Sequence, residues 1–236
     1  MNQSNKRNLE YIKNSGINYF LQDSPKKWLE NPSKTELLAN DANESNKFKK
    51  IQEIIDSIQS YQTPLKNSAK NVVVYDGNLD AKIMFIGEAP GRDEDLQGIP
   101  FVGRAGQLLN KMLAAIKLQR DEVYITNVVN WRPPDNRTPN EDEILEFLPF
   151  LQQQIDVVNP DYIFLLGSVA AKAILSTPIG LGKLRGTWHE YKSLQLNKTI
   201  HTIASYHPAF LLRSPQYKKA SWEDLKMLQT KLNEKN

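Results

Sequence analysis

Residues 82–109 read KIMFIGEAPGRDEDLQGIPFVGRAGQLL and place four carboxylates, Glu88, Asp93, Glu94 and Asp95, on one turn. Gly87, Pro90, Gly91, Gly98, Pro100, Gly103 and Gly106 crowd the same stretch, which is too dense for a loop that merely connects. Glycines let backbone amides approach a ligand closely. A phosphate cradle would need GxxxxGK(S/T) or GxGxxG, and neither spacing is present. The turn therefore faces something other than a nucleotide polyphosphate, or it is a sharp strand-to-helix connection with a solvated acidic edge.

Two further polar residues stand at the ends of apolar runs. Asn127 closes YITN and can both donate and accept, although an asparagine there could equally cap the next turn. His207 precedes Pro208, which biases it to an extended backbone at a strand end. His189 and His201 lack such a context.

Periodicity supplies the elements that must position these groups. Ile51, Ile54, Ile55 and Ile58 define an amphipathic helix over residues 48–58. A possible edge strand at 72–75 is followed by strands at 82–86, 122–128, 161–166 and 198–204. Helices are predicted over residues 105–117, 140–158, 169–175 and 221–232. This alternation predicts an α/β fold, a three-layer α/β/α sandwich with a central parallel sheet of about four strands. Ligands of such sheets sit at the carboxyl ends of the strands, and the glycine-rich turn, Asn127, Gly167, Ser168 and His207 all fall there.

The turn GEAPG-x-x-ED-x-x-G-x-PFVG-x-AG-x-LL resembles the first signature of the family 4 uracil-DNA glycosylases. Five more blocks follow in order: YITNV (124–128), RPPDNRTP (132–139), LLGSVA (165–170), GKLRGTW (182–188) and YHPAFLLR (206–213). The resemblance covers residues 59–232 and implies the glycosylase fold and an activity in base-excision repair. That activity hydrolyses the N-glycosidic bond of deoxyuridine in DNA and leaves an abasic site.

The chemistry needs the base out of the duplex, a stacking partner, hydrogen bonds to the pyrimidine edge, and a donor for the departing uracil anion. By resemblance Glu88 and His207 are catalytic, while Gly87, Ala89, Glu94, Phe101 and Asn127 bind the substrate. Glu88 stabilises the oxocarbenium-like sugar and positions water, and His207 donates to O2 of uracil. Asn127 reads the uracil edge, Phe101 stacks on the ring or is a core phenylalanine, and Glu94 at the pocket wall excludes the methyl of thymine, with the roles of Glu88 and Glu94 not apportioned between them. Asp95 reads as structural. By resemblance Leu211 and Leu212, in a stretch expected to be loop, form the wedge that enters the base stack, with ordinary packing at a helix start as the other reading. Ser168, Lys183, Arg185 and Arg213 contact the DNA.

Four cysteines hold a 4Fe–4S cluster in family 4, and this chain has no cysteine. Ungapped alignment of the flanking motifs puts those positions at Ser60, Thr63, Trp131 and Phe147. None is a cluster ligand, so the expectation is no metal and no cofactor. Trp131 and Phe147 are expected to fill the volume, with Ser60 and Thr63 bonded locally. A non-catalytic DNA-binding or replication-associated module on the same fold is the alternative. A covalent uracil trap ranks below both, because the Arg-rich insertion before its histidine is missing.

With 236 residues, 40% hydrophobic and 24% charged, the composition is that of a soluble globular chain. Residues 1–46 read as an N-terminal extension and polar linker, and residues 47–236 as the glycosylase domain. The net charge is only +3, but residues 182–236 hold ten Lys and Arg against four Asp and Glu, which suits a phosphate backbone. No membrane-spanning run and no signal peptide are seen. A monomer acting on uracil-containing DNA, cytoplasmic and nucleoid-associated in a bacterium, is expected.

Overall fold

The computed structural model describes residues 34–193 and 195–234. The chain divides into two compact units, residues 1–41 and 42–236. The expectations for residues 1–33 lie outside the described residues.

The second unit is built on a six-stranded sheet in the order β1-β3-β2-β4-β6-β5. Its strands are β1 (Tyr75–Gly77), β2 (Ile83–Gly87), β3 (Tyr124–Asn127), β4 (Tyr162–Leu166), β5 (Trp188–Lys192) and β6 (Thr199–Ser205). The central four run parallel, as the sequence predicts. Antiparallel strands close both edges, β1 on β3 and β5 on β6. The edge strand expected at 72–75 is centred a few residues later, and β5 is an addition. Its residues WHEYK are at most half-buried, so they lack the apolar run by which the central strands are recognised.

Strand β2 shows why the sheet is covered on both sides. Ile83 and Phe85 point into one core cluster and Met84 and Ile86 into the other, the alternation of a pleated strand. Helices α1 (Lys34–Ser60), α4 (Glu141–Val158) and α5 (Ser168–Leu175) supply the first cluster with Ile51, Ile54, Phe147, Leu151 and Ala171. Helices α3 (Arg104–Ala115) and α8 (Lys218–Glu234) supply the second with Leu109, Leu113, Leu225 and Leu228. Three shorter helices, α2 (Arg92–Gln97), α6 (Leu181–Leu184) and α7 (Pro208–Arg213), border the strand ends.

Helix α4 starts where a reciprocal cap dictates. Glu143 N–H donates to Asn140 Oδ1 at 2.8 Å and Asn140 N–H to Glu143 Oε2 at 2.9 Å. Residues 39–46, read from composition as a linker, instead continue α1. They contain no glycine or proline to stop it. No helix among the described residues is long and apolar enough to cross a membrane.

Candidate active site

A cavity of about 520 Å³ opens at the carboxyl ends of the parallel strands, and Glu88, Glu94, Phe101, Asn127 and His207 all line it. Register explains the convergence. Gly87 at the end of β2 lies opposite Asn127 at the end of β3, and Leu166 of β4 lies opposite Ser205 of β6, two residues before His207. Gly167 has a φ of 98°, and a Cβ there would lie 3.1 Å from the Cβ of His207. Its small size lets the histidine lean over the end of β4.

Asn127 is 2% exposed, and its Oδ1 is buried with no hydrogen-bond partner among the described residues. An orphaned buried carbonyl costs about 1–3 kcal/mol, so its place in a cavity wall points to a ligand that donates to it. A side chain at Gly87 would strike Asn127 Oδ1 and come within 2.5 Å of the Phe101 ring. Phe101 holds a left-handed backbone, φ 53°, that costs energy in a bulky residue. Arg120 pins it by donating to the Phe101 carbonyl at 3.1 Å and the Pro100 carbonyl at 2.6 Å. The Phe101 ring lies 5.5 Å from the His207 ring at 31°.

His207 caps α7. Its Nδ1 accepts from Ala209 N–H at 3.1 Å, so the lone pair is on Nδ1 and the proton of the neutral ring is on Nε2. Burial, then the Arg213 guanidinium, lower its pKa to about 4. At neutral pH the ring is an uncharged donor.

Glu88, half-buried, follows β2 directly. Burial raises its pKa, while a hydrogen bond with the Thr138 side chain and the charge of Arg213 oppose the rise. Glu94 is spent on the loop itself: it accepts from the N–H groups of Gly91 at 3.1 Å, Val102 at 3.0 Å and Gly103 at 2.9 Å. Ala89 lies in the wall beside Glu88. Asp95 is buried and accepts from Lys70 N–H at 2.7 Å and Asn71 N–H at 3.0 Å.

The rim departs from expectation in two places. The stretch after His207 is helix α7, and Leu211 is 2% exposed within the second core cluster. It cannot enter a base stack without leaving that core. Leu212 is half-buried and Arg213 exposed. Arg185, expected on phosphates, grips the buried Asp224 with two hydrogen bonds of 3.1 and 2.7 Å and the Ala220 carbonyl with a third. Ser168 and Lys183 are exposed, and Ser168 lines the cavity.

The cavity wall also contains Asn136, Arg137, Thr138, Tyr206 and Phe210, which carry no role in the reading of the sequence. The blocks RPPDNRTP and YHPAFLLR were the available signal. Arg137 is held by Glu143 through bonds of 2.7 and 2.6 Å, which ties the 132–139 loop to the cap of α4.

At the four positions aligned with cluster cysteines, Ser60 Oγ donates to the Ser57 carbonyl at 3.1 Å and Thr63 Oγ1 accepts from Leu65 N–H at 3.4 Å. Trp131 and Phe147 pack into the first core cluster. Lys66 Nζ sits 5.4 Å from the centre of the Trp131 ring.

Comparison with known proteins converges on one family. The uracil DNA glycosylase superfamily matches residues 74–226. A type-4 uracil-DNA glycosylase of Archaeoglobus fulgidus is 41% identical over 70% of this chain and 83% of its own. One of Saccharolobus solfataricus is 42% identical over 70% and 78%, and one of Thermotoga maritima 44% identical over 64% and 77%. These relatives correct the expectation of an enzyme without a cofactor, because they bear the name of the type for which the resemblance implies a 4Fe–4S cluster. The four residues standing here do not fit that group: none offers a thiolate, and two are core aromatics. These likenesses agree, and the chain belongs to the uracil DNA glycosylase superfamily.

Proposed function

We propose that the chain is a monofunctional uracil-DNA glycosylase that releases uracil from DNA and leaves an abasic site. The observation that carries this reading is the buried, unpartnered Asn127 Oδ1 in the wall of the same cavity as the Nε2–H of His207. A flat ring that donates to Asn127 Oδ1 and accepts from its NH2 and from His207 answers both groups. Uracil does so through N3–H, O4 and O2. Cytosine offers an acceptor at N3 and an amine at C4, so it leaves Oδ1 facing a lone pair.

In this reading the uridine swings out of the strand and its base lies against Phe101. As the C1′–N1 bond breaks, its electron pair passes to the pyrimidine and charge accumulates at O2. The neutral Nε2–H of His207 is preorganised to stabilise that charge without giving up its proton. The sugar left behind is oxocarbenium-like, and the ionised Glu88 carboxylate stabilises it and orients a water. Attack at C1′ gives the abasic sugar, and the water's second proton passes to Glu88. Glu94, fixed by three backbone N–H groups, stands as a wall against the methyl of thymine. We infer a monomer, since one chain supplies every group used, working at the nucleoid of a bacterial cytoplasm.

The test is alkaline strand cleavage of a uracil-containing oligonucleotide after incubation with the protein. Wild type is expected to turn over, and His207→Ala to lose about 100-fold or more in rate, the effect of one well-placed donor. Full activity in an Asn127→Ala, His207→Ala double variant would overturn the site assignment. Salt-sensitive binding without turnover would favour the binding module instead.

A further inference from the structure

A cluster of three aromatic rings, two of them in the cavity wall, has no part in this chemistry. Tyr206 and Phe210 both line the cavity and stack on each other, with centroids 5.2 Å apart and planes at 26°. Tyr217 closes the group at 5.0 Å from Tyr206 and 5.1 Å from Phe210, and it is 39% exposed. The Arg185 guanidinium lies 5.6 Å from the Tyr206 ring centre and is itself locked by Asp224. The cluster is therefore braced from behind and open in front.

Drawing a uridine into the cavity strips its neighbours of one stacking face, and in a single strand no opposite base compensates. Aromatic side chains that receive such bases are the common device of single-strand binding. The charges here suit the same occupant: exposed Arg213 precedes Tyr217 by one turn of chain, and exposed Lys218 and Lys219 follow it. With Leu211 buried, no leucine wedge at that position competes for the role.

We propose that Phe210 and Tyr217, backed by Tyr206, form a stacking subsite for the nucleobase next to the excised uracil, and that single-stranded DNA is the preferred substrate. The subsite deepens the glycosylase reading and rests on it for the position of the uridine.

The test is fluorescence anisotropy with a labelled single strand carrying 2′-fluoro-deoxyuridine, whose fluorine slows loss of the base. A second strand replaces both nucleotides flanking it by abasic tetrahydrofuran. Wild type is expected to bind the first strand at least about fivefold more tightly than the second, the lower range for one stacked base, and more tightly than the matching duplex. Phe210→Ala and Tyr217→Ala are each expected to lose that advantage on the first strand and to match wild type on the second, while Phe210→Trp retains it. Equal losses on both strands, or no loss on either, would overturn the subsite. Equal wild-type affinity for single strand and duplex would overturn the preference. If Phe210→Ala fails to fold, Tyr217→Ala at an exposed position carries the comparison. Uracil release by wild type from an unmodified strand is read in parallel: its absence strikes the glycosylase reading and leaves the binding comparison standing.

Discussion

The floor of the cleft and its rim are built by different means. The floor groups, Gly87, Glu88, Asn127 and His207, sit at or just beyond strand ends, and parallel register alone brings them together. The rim, from α6 to the start of α8, is placed by side chains that find partners far along the sequence. Arg185 reaches Asp224 across 39 residues, and Tyr206, Phe210 and Tyr217 hold one another. A polar group at the floor is left without a partner, as Asn127 Oδ1 is, whereas the rim's buried charge is fully paired. The floor is thus organised around something that arrives, and the rim around its own support.

The largest expected effect breaks the floor without touching a reactive group. Gly87→Ala would drive a methyl into Asn127 and the Phe101 ring. Neither can retreat: Asn127 ends a central strand, and Phe101 is pinned by Arg120. Displacing the pocket by even an ångström costs about 100-fold in rate, so single-turnover uracil release should fall by that order. A fall below about threefold would mean that the cavity tolerates a side chain and that its shape does not govern the rate.

Asp224→Ala attacks the rim, and the expected readout there is stability. Asp224 is fully buried, and burial raises its pKa although Arg185, Ser205 and the Gly186 N–H all favour its charge. Removing it strands the guanidinium, a loss of about 3 kcal/mol that urea unfolding would measure. If the two regions are as distinct as they look, the folded fraction should keep a pH–rate profile like that of wild type. A changed profile would show that the Asp224 support reaches His207 through Ser205, which donates to Asp224 at 2.7 Å.

This contrast also decides what the sequence could show. The four parallel strands β2, β3, β4 and β6 are each expected from the sequence, so their ends, and hence Glu88, Asn127, Gly167 and His207, are legible from pattern and motif. Helix α7 does not stand out in the sequence because its six residues are too few for a period to declare itself. Leu211 and Leu212 then read alike, yet one is core and the other half-buried. Arg185 read as a phosphate ligand because a basic residue in a basic segment offers no hint of a distant buried carboxylate. Strand β5 was missed because an edge strand exposed on one side need not be apolar.

The pH profile sharpens the floor. His207 has a folded pKa of about 4, below its usual 6.5, so it stays neutral through the range where an ordinary histidine titrates. The unfolded chain binds the proton first, so the stability this group contributes is present above about pH 6.5 and declines as pH falls towards 4. For activity, the raised pKa of Glu88 means that this carboxylate gains its proton before His207 does as pH falls. Uracil release by wild type is therefore expected to show no inflection from His207 near pH 6.5 and to decline on the acid side as Glu88 protonates. In Glu88→Gln the residual activity should hold to lower pH and fail near 4. An inflection near 6.5 that disappears in His207→Ala would show that the ring is not buried as a neutral donor.

The smallest effect separates two basic residues of the rim that are neighbours in sequence. Lys183 is exposed on α6, while Arg185, two positions on, is committed to Asp224, the Ala220 carbonyl and the Tyr206 ring. An exposed ammonium on a phosphate displaces about one counterion, so Lys183→Ala should weaken binding uniformly across sequences and lower the slope of log affinity against log salt by about one. Arg185→Ala should instead lower the unfolding midpoint and leave that slope unchanged, since its charge already has a partner inside the protein. If Arg185→Ala moves the slope as Lys183→Ala does, the guanidinium must leave Asp224 when DNA arrives. The rim would then share with the floor the property of being completed by its ligand.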